Sequence, residues 1–162
     1  MNSIKAVIEI PTNAKHKYEV NKDTGKLVVD RLLTLPIPYN YGYLENTLSP
    51  DGDPLDVCIV DVEPIFPLTV VNVVPIGILL CDDNGVADDK IIAVIKGSKL
   101  SEETIEKRIG QIKEFLSKYK EGFQVADLKG PEWAMDTYNT CVSAYIDAEH
   151  EKPKYKLVTV LT

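Results

Sequence analysis

The sequence predicts an α+β, mainly β, single domain over residues 1–162, a small β-barrel with two covering helices. Two observations carry this expectation. Over the first hundred residues, short β-branched runs alternate with turn signals and show no helical period. Over the last sixty, the apolar residues switch to a helical spacing. Many short strands so closely spaced favour a barrel over a parallel sheet.

Strands are expected at Ile4–Ile10, Leu27–Val29, Val57–Val62, Thr69–Val74, Ile76–Leu80 and Ile91–Ile95. Turns fall at Asp23-Thr24-Gly25, Asp51-Gly52-Asp53-Pro54 and Asp82-Asp83-Asn84-Gly85. The alternation Lys17-Tyr18-Glu19-Val20 reads as a further strand, with Lys17 and Glu19 on one side and Tyr18 and Val20 entering the core. From Ser101 to Lys120, Ile105, Ile109, Ile112, Leu116 and Tyr119 form one helical stripe. Ser101 suits the N-cap, Glu102 and Glu103 the positive end, and Lys118, Lys120 and Gly122 the exit. A second helix starts near Pro131, with Ala134, Tyr138, Cys141, Val142 and Tyr145 facing inward. Beyond Pro153, the run Leu157 to Leu161 reads as a strand or a packed tail.

Composition excludes several classes of function. Forty-four per cent hydrophobic residues rule out disorder. A chain of this length buries about 70% of its extended surface without staples. Eighteen Lys and Arg against 25 Asp and Glu leave a net charge of -7, a field that repels nucleic-acid backbones. Cys58, Cys81 and Cys141 lie far apart and in odd number, which argues against disulfides or a zinc knuckle and for a reducing compartment. Glu9 and Pro11 stand where a signal peptide needs apolar residues, and Pro67 to Leu80 is broken by Thr69, Asn72, Pro75 and Gly77. No membrane association is therefore expected, and the location expected is cytoplasmic. His16 and His150 read as surface residues.

The chemistry concentrates in acidic clusters. Asp51, Asp53 and Asp56 fall within six residues at a tight turn that feeds an apolar strand. Carboxylates so crowded raise one another's pKa unless a cation joins them, and oxygen ligands suit a hard divalent ion, Mg2+ above others. The plain alternative is a turn, since Asp, Gly and Pro are turn residues. An EF-hand loop fails on register, because Asp56 stands where its glycine should. A second group, Asp82, Asp83, Asp88, Asp89 and Lys90, resembles a solvated hairpin tip when taken alone. Both groups sit at strand junctions, so a barrel can bring them to one rim. Lys17, Glu19, Glu9 and Arg31 would add cations beside carboxylates, a mixture suited to phosphate chemistry, although each singly is an ordinary surface charge. Tyr41, Tyr119 and Lys120 complete the set. Core packing is the simpler role for Tyr119, and a helix-dipole partner the simpler role for Lys120.

Asp51-Gly52-Asp53-Pro54-Leu55-Asp56-Val57 resembles the signature of the soluble family I inorganic pyrophosphatases. Val7-Ile8-Glu9-Ile10-Pro11, Lys17-Tyr18-Glu19, Val29-Asp30-Arg31, Asn40-Tyr41-Gly42-Tyr43, Thr47-Leu48, Asp83 with Asp88 and Lys90, Ser98-Lys99-Leu100 and Tyr119-Lys120 follow in that family's order, so the resemblance covers roughly residues 5 to 122. It implies a five-stranded OB-like barrel that hydrolyses pyrophosphate to two orthophosphates with several Mg2+ ions, Mn2+ being a possible substitute. It implies Asp51, Asp56, Asp83 and Asp88 as metal ligands, with Glu19, and Glu9 through water, serving a further metal. Asp53 matches the carboxylate that orients or deprotonates a metal-activated attacking water. Lys17, Arg31, Tyr41, Lys90, Tyr119 and Lys120 match groups that hold phosphate oxygens. The resemblance also implies a bacterial-type homo-oligomer, a hexamer, for which the exposed face of the Ser101–Lys120 helix is one candidate surface. Where the family commonly has a Tyr, Ile37 precedes Pro38, and the stretch from Arg31 to that point is slightly short. Tyr39 offers a replacement hydroxyl close by. An OB-like binding module, or a hydrolase of another phosphoanhydride such as a nucleotide or short polyphosphate, are the alternatives to pyrophosphate hydrolysis.

Overall fold

A computed structural model describes residues 3–152. In chain order the elements are β1 (Ile4–Ile10), β2 (His16–Val20), β3 (Leu27–Leu32), β4 (Asn40–Leu44), β5 (Asp56–Ile59), β6 (Val70–Asp83), β7 (Val86–Ala87), β8 (Lys90–Ile95), α1 (Glu102–Ser117), β9 (Phe123–Lys129) and α2 (Pro131–Glu151). Strand β1 pairs with β4, β4 with β5, β5 with β8, β8 with β6, and β6 again with β1. That circuit closes a ring of five strands, so the expected barrel is present and its edges are largely removed. Only β5 and β8 run parallel within the ring. Strands β7 and β9 extend β6, while β2 and β3 form a separate two-stranded ribbon.

The ring strands bury both faces. Ile4, Ala6, Ile8, Leu44, Val57, Ile59, Val73, Ile78, Ile91 and Ala93, from all five strands, pack together as the barrel interior, and Ala134 and Cys141 of α2 join them. Ile10, Cys58, Leu79, Cys81 and Ile92 pack outside with Ile112, Phe115 and Leu116 of α1. Alternation separates the two sets in β5 and β8, while in β1 and β6 the register shifts between Ile8 and Ile10 and between Pro75 and Gly77 change which residues face inward. Side chains such as Ile112 and Leu116, each 1% exposed, contribute about 1.5–3 kcal/mol apiece by leaving water.

Both helices form where periodicity places them. The Ser101 hydroxyl caps α1 by accepting from the Thr104 N–H at 3.2 Å. Pro131 opens α2 at a position where a missing N–H costs nothing. Tyr119 continues the inner stripe just beyond the last turn of α1. The runs Thr69–Val74 and Ile76–Leu80, expected as two strands, are one. Pro75 removes a ladder donor, and a register shift between Pro75 and Gly77 absorbs the loss while β8 continues to pair with both halves.

Strands β4 and β9 lack the runs by which strands are recognised. In β9 only Phe123 is fully buried, Val125 and Leu128 pack partly buried beside it, and Gln124, Ala126 and Asp127 are exposed. Strand β4 contains Asn40 and Gly42, both turn-type residues, yet both are buried. The Asn40 side chain accepts from the Thr12 and Ile65 N–H groups and donates to the Asp61 and Glu63 carbonyls, which satisfies all its polar atoms. At Gly42, any Cβ would overlap the Val7 carbonyl oxygen, so only glycine lets β1 approach β4.

Cys58, Cys81 and Cys141 are free and buried. Among the described residues, no helix is long and apolar enough to cross a membrane. The run from Leu157 to Leu161 lies outside the described residues.

Candidate functional site

The acidic segments serve structure and site together. In the first turn, Gly52 at φ 90° permits a reversal that few side chains tolerate. Asp51 Oδ1 accepts the Asp53 N–H at 2.9 Å, and the Leu55 N–H donates to Thr47 Oγ1 at 2.9 Å. The plain turn reading is therefore true as far as it goes, and the same turn aims Asp51 and Asp53 into a cavity. In the β6–β7 hairpin, Asp82 accepts from the Gly85 N–H and Asp89 from the Cys81 N–H. Asp83 and Asp88 are left facing that same cavity.

The cavity has a volume of about 180 Å3. Glu9, Lys17, Glu19, Tyr41, Asp51, Asp53, Asp56, Asp83, Asp88, Lys90, Tyr119 and Lys120 all border it. The fold thus brings together every candidate site residue except Arg31, which lies alongside with its guanidinium 4.6 Å from the centre of the Tyr119 ring. Arg31 pairs with Lys17 across the ribbon, and its buried Nη2 has no hydrogen-bond partner. The β2 alternation is imperfect: a register shift between Lys17 and Tyr18 turns Tyr18 toward the cavity as well. Sequence reasoning did not single out Tyr18, Lys22, Tyr43 or Pro54, which also line it. Lys22 and Tyr43 stand within two or three residues of Glu19 and Tyr41, and that proximity was the available signal.

Register sets the electrostatics. The parallel pairing of β5 with β8 puts Asp56 directly opposite Lys90. Lys90 is 3% exposed, and its Nζ donates to Asp56 Oδ2 at 2.9 Å, to the Tyr41 hydroxyl at 3.1 Å and to Asp88 Oδ2 at 3.5 Å. Burial alone would lower the Lys90 pKa, but Asp56 and Asp88 outweigh it and hold the ammonium well above its ordinary value. Burial pushes Asp88 up to about 6, against the pull of Lys90 and with help from Asp56 and Asp51. Glu9 and Asp51 are raised chiefly by burial, and Asp83 is lowered by its hydrogen bond from Lys120 at 2.7 Å. Burial, then Asp56, raises Tyr41 well above the usual phenol range, so it stays a neutral donor.

Asp88 yields a pH prediction. Its folded pKa lies above the unfolded value, so ionising it opposes folding, and metal-free protein loses stability on this account as pH rises from about 4 through 6. In EDTA, Asp88→Asn is expected to gain stability relative to the parent over that window. Paired thermal melts at pH 4, 5, 6 and 7 check it, and a difference independent of pH would contradict it.

Seven carboxylates and four ammonium groups line the cavity, with no His or Cys among them. Surplus carboxylate oxygens fit a hard divalent cation and not a soft one. Among the described residues, no group of three or more His, Cys, Asp or Glu stands close enough to hold a metal ion. The aspartates are paired instead with lysines, Asp56 and Asp88 with Lys90, and Asp83 with Lys120.

Ile37 is 3% exposed and packs with Ile10, Leu33 and Tyr39 beneath the site. Tyr39 does not replace the missing hydroxyl at the cavity. It is 1% exposed, its ring meets Tyr41 and Phe115 edge-on, and it does not border the acidic cavity.

Known proteins resemble this chain over most of its length. A family model described as inorganic pyrophosphatase matches residues 6–146. The chain is 38% identical over 165 residues to soluble inorganic pyrophosphatase 2 of Chlamydomonas reinhardtii, covering 94% of this chain and 85% of that protein. Against inorganic pyrophosphatase 1 of Pseudomonas syringae pv. tomato, identity is 43% over 144 residues, covering 82% and 78%. The inorganic pyrophosphatase of Thermus thermophilus superposes with a TM-score of 0.82 at 28% identity, over 90% of this chain and 92% of that one. That of Helicobacter pylori superposes with a TM-score of 0.80 at 31% identity, over 90% and 94%.

Proposed function

The chain belongs to the inorganic pyrophosphatase family and hydrolyses pyrophosphate, and on that premise we propose that the acidic cavity is its active site, working with Mg2+. The observation that carries this reading is the meeting of seven carboxylates with four ammonium groups in one pocket, built from segments far apart in sequence.

Asp51, Asp56, Asp83 and Asp88 would hold Mg2+, with Glu19, and Glu9 through water, serving a further ion that arrives with the substrate. When bound, these ions supply positive charge to the phosphate oxygens and acidify a water, which is what an anionic electrophile requires. Asp53 is exposed beside that set and takes the proton of the attacking water. Lys17, Arg31 and Tyr119 form one cationic and aromatic wall that grips phosphoryl oxygens. Tyr41, polarised by Lys90, donates from its hydroxyl, and Lys120 neutralises charge as the P–O–P bond breaks. The net charge of -7 is no obstacle, because bound divalent ions reverse the local sign.

The expected setting is a cytoplasmic homo-oligomer, a hexamer, with Mn2+ as a substitute for Mg2+ and no nucleic-acid or membrane partner. Orthophosphate release from pyrophosphate with Mg2+, and its loss in EDTA, tests the proposal. Nucleotides and short polyphosphates in the same assay test the substrate. Asp53→Asn is expected to keep metal binding near the parental level while losing about 10²–10³-fold in turnover, since it changes the water's partner more than the ligand set. Calorimetry with Mn2+ beside the rate assay checks this, and equal losses in both would refute the role.

A further inference from the structure

The ribbon of β2 and β3 carries Lys17, Glu19 and Arg31, yet it has no strand pairing with the barrel that carries the aspartates. Its base is fixed by the connecting segments 11–15 and 33–39, which hydrogen-bond to each other, and toward its tip side chains set its distance from the barrel. At its base, Tyr18 and Leu33 reach the outer core, and Lys17 and Arg31 lie over Tyr119. Toward its tip the contacts involve Lys22 and Glu9. Lys22 Nζ donates to the Val20 carbonyl at 3.1 Å, lies 3.7 Å from Glu9 Oε2, and sits 4.0 Å above the centre of the Tyr43 ring. Glu9 Oε2 also accepts the Val20 N–H at 2.9 Å. One ammonium thus touches the ribbon, β1 and β4 together.

The neighbours of Lys22 are held as well. Asn21 Oδ1 accepts the Asp23 and Thr24 N–H groups, and the Gly25 N–H donates to the Asn21 carbonyl, so the turn bearing Lys22 is stiff. Glu9 sits at the register shift between Ile8 and Ile10 in β1, and its side chain is buried. The Lys22 ammonium, 43% exposed, forms an ion pair with Glu9 and a cation–π contact with Tyr43, each individually modest and both favouring the same position.

We propose that Lys22 is a positioning residue that clamps Val20 of the ribbon to Glu9 and Tyr43 of the barrel, and so sets the gap between the phosphate-holding cations and the aspartates. The inference rests on reading the cavity as the pyrophosphatase site. Lys22 needs no contact with substrate for this role. A reacting geometry displaced by about 1 Å can lose on the order of 10²-fold in rate, so a loosened ribbon costs activity.

The test compares the parent with Lys22→Ala, Lys22→Arg and Lys26→Ala, the last removing the same charge from an exposed position on the same hairpin. Amide hydrogen exchange is followed in metal-free protein, and kcat and KM for pyrophosphate are measured with Mg2+. In Lys22→Ala, the Val20 amide is expected to exchange about tenfold faster, while Ile78 and Ile91 in the barrel stay unchanged. Its kcat/KM falls about tenfold or more. Lys22→Arg restores both readouts, because a guanidinium also sits over an aromatic ring. Lys26→Ala alters neither. Unchanged Val20 exchange in Lys22→Ala overturns the proposal, whether or not activity falls, and so does an equal effect from Lys26→Ala. Failure of the underlying reading would show separately, as no orthophosphate release by the parent with Mg2+.

Discussion

Asp56→Asn is expected to lower orthophosphate release from pyrophosphate by about three orders of magnitude while leaving the fold intact. Asp56 opens β5 at the barrel end where β4, β5 and β8 meet, opposite Tyr43 on one side and Lys90 on the other. It borders the cavity together with Asp51 and Asp88. Asparagine keeps its shape and removes its charge, so the loss falls on ion binding and charge compensation. It also leaves Lys90 with only Asp88 as a carboxylate partner. Steady-state phosphate release over a Mg2+ titration measures the effect, and a urea melt guards against unfolding. Turnover within tenfold of the parent, or turnover that survives EDTA, would remove Asp56 and the metals from the machinery.

Lys90→Met is expected to damage stability and turnover together. The side chain is 3% exposed and holds one charge against two carboxylates and a tyrosine hydroxyl. Removing one member of a fully buried ion pair costs about 3–5 kcal/mol. Asp56 and Asp88 keep 21% and 20% of their side-chain surface exposed, so water relieves part of this, and about 2–3 kcal/mol is expected in metal-free protein at pH 7. The sign of the pH dependence follows from Asp88, which takes up a proton near pH 6 and then no longer needs the cation. The deficit should therefore shrink as pH falls from 7 to 5. Turnover should drop about 10²-fold, because Tyr41 loses the group that polarises it. Lys90→Arg should rescue little, since a planar fork does not fit a slot shaped for an ammonium. Denaturant melts at pH 5 and 7, in EDTA, separate this from a packing defect, which would cost the same at both.

The strands that were legible in the sequence are those whose burial is announced by β-branched runs, such as β1 and β8. Strand β4 was not, because Asn40 and Gly42 serve tertiary needs, a side-chain hydrogen-bond hub and a close backbone approach. Strand β9 was not, because it adds to β6 with a mostly exposed face. Thr69–Val74 and Ile76–Leu80 read as separate strands because Pro75 ordinarily ends a strand, and only the neighbouring strand β8 reveals that pairing continues past it.

The candidate residues were legible because their chemistry is unusual locally, with three aspartates in one turn and four more, Asp82, Asp83, Asp88 and Asp89, ahead of Lys90. Lys22 was not, since a lone lysine in a hairpin turn looks like solvated charge until Glu9 and Tyr43 are placed around it. Tyr39 was misread in the opposite sense, as a nearby hydroxyl that the fold buries away from the cavity.

Sequence alone determined the family, the identities of the acidic and basic groups, and the change from strand to helix after residue 100, because each of these is written in local order and spacing. The family resemblance singled out Asp83 and Asp88, but only the tertiary structure gives the physical reason, since the Asp82 and Asp89 oxygens accept from the Gly85 and Cys81 N–H groups while Asp83 and Asp88 border the cavity. The tertiary structure also decided that Lys90 is buried between Asp56 and Asp88, a consequence of the parallel register of β5 and β8. Pairing between strands more than thirty residues apart depends on how the ring closes, and no local pattern records that closure.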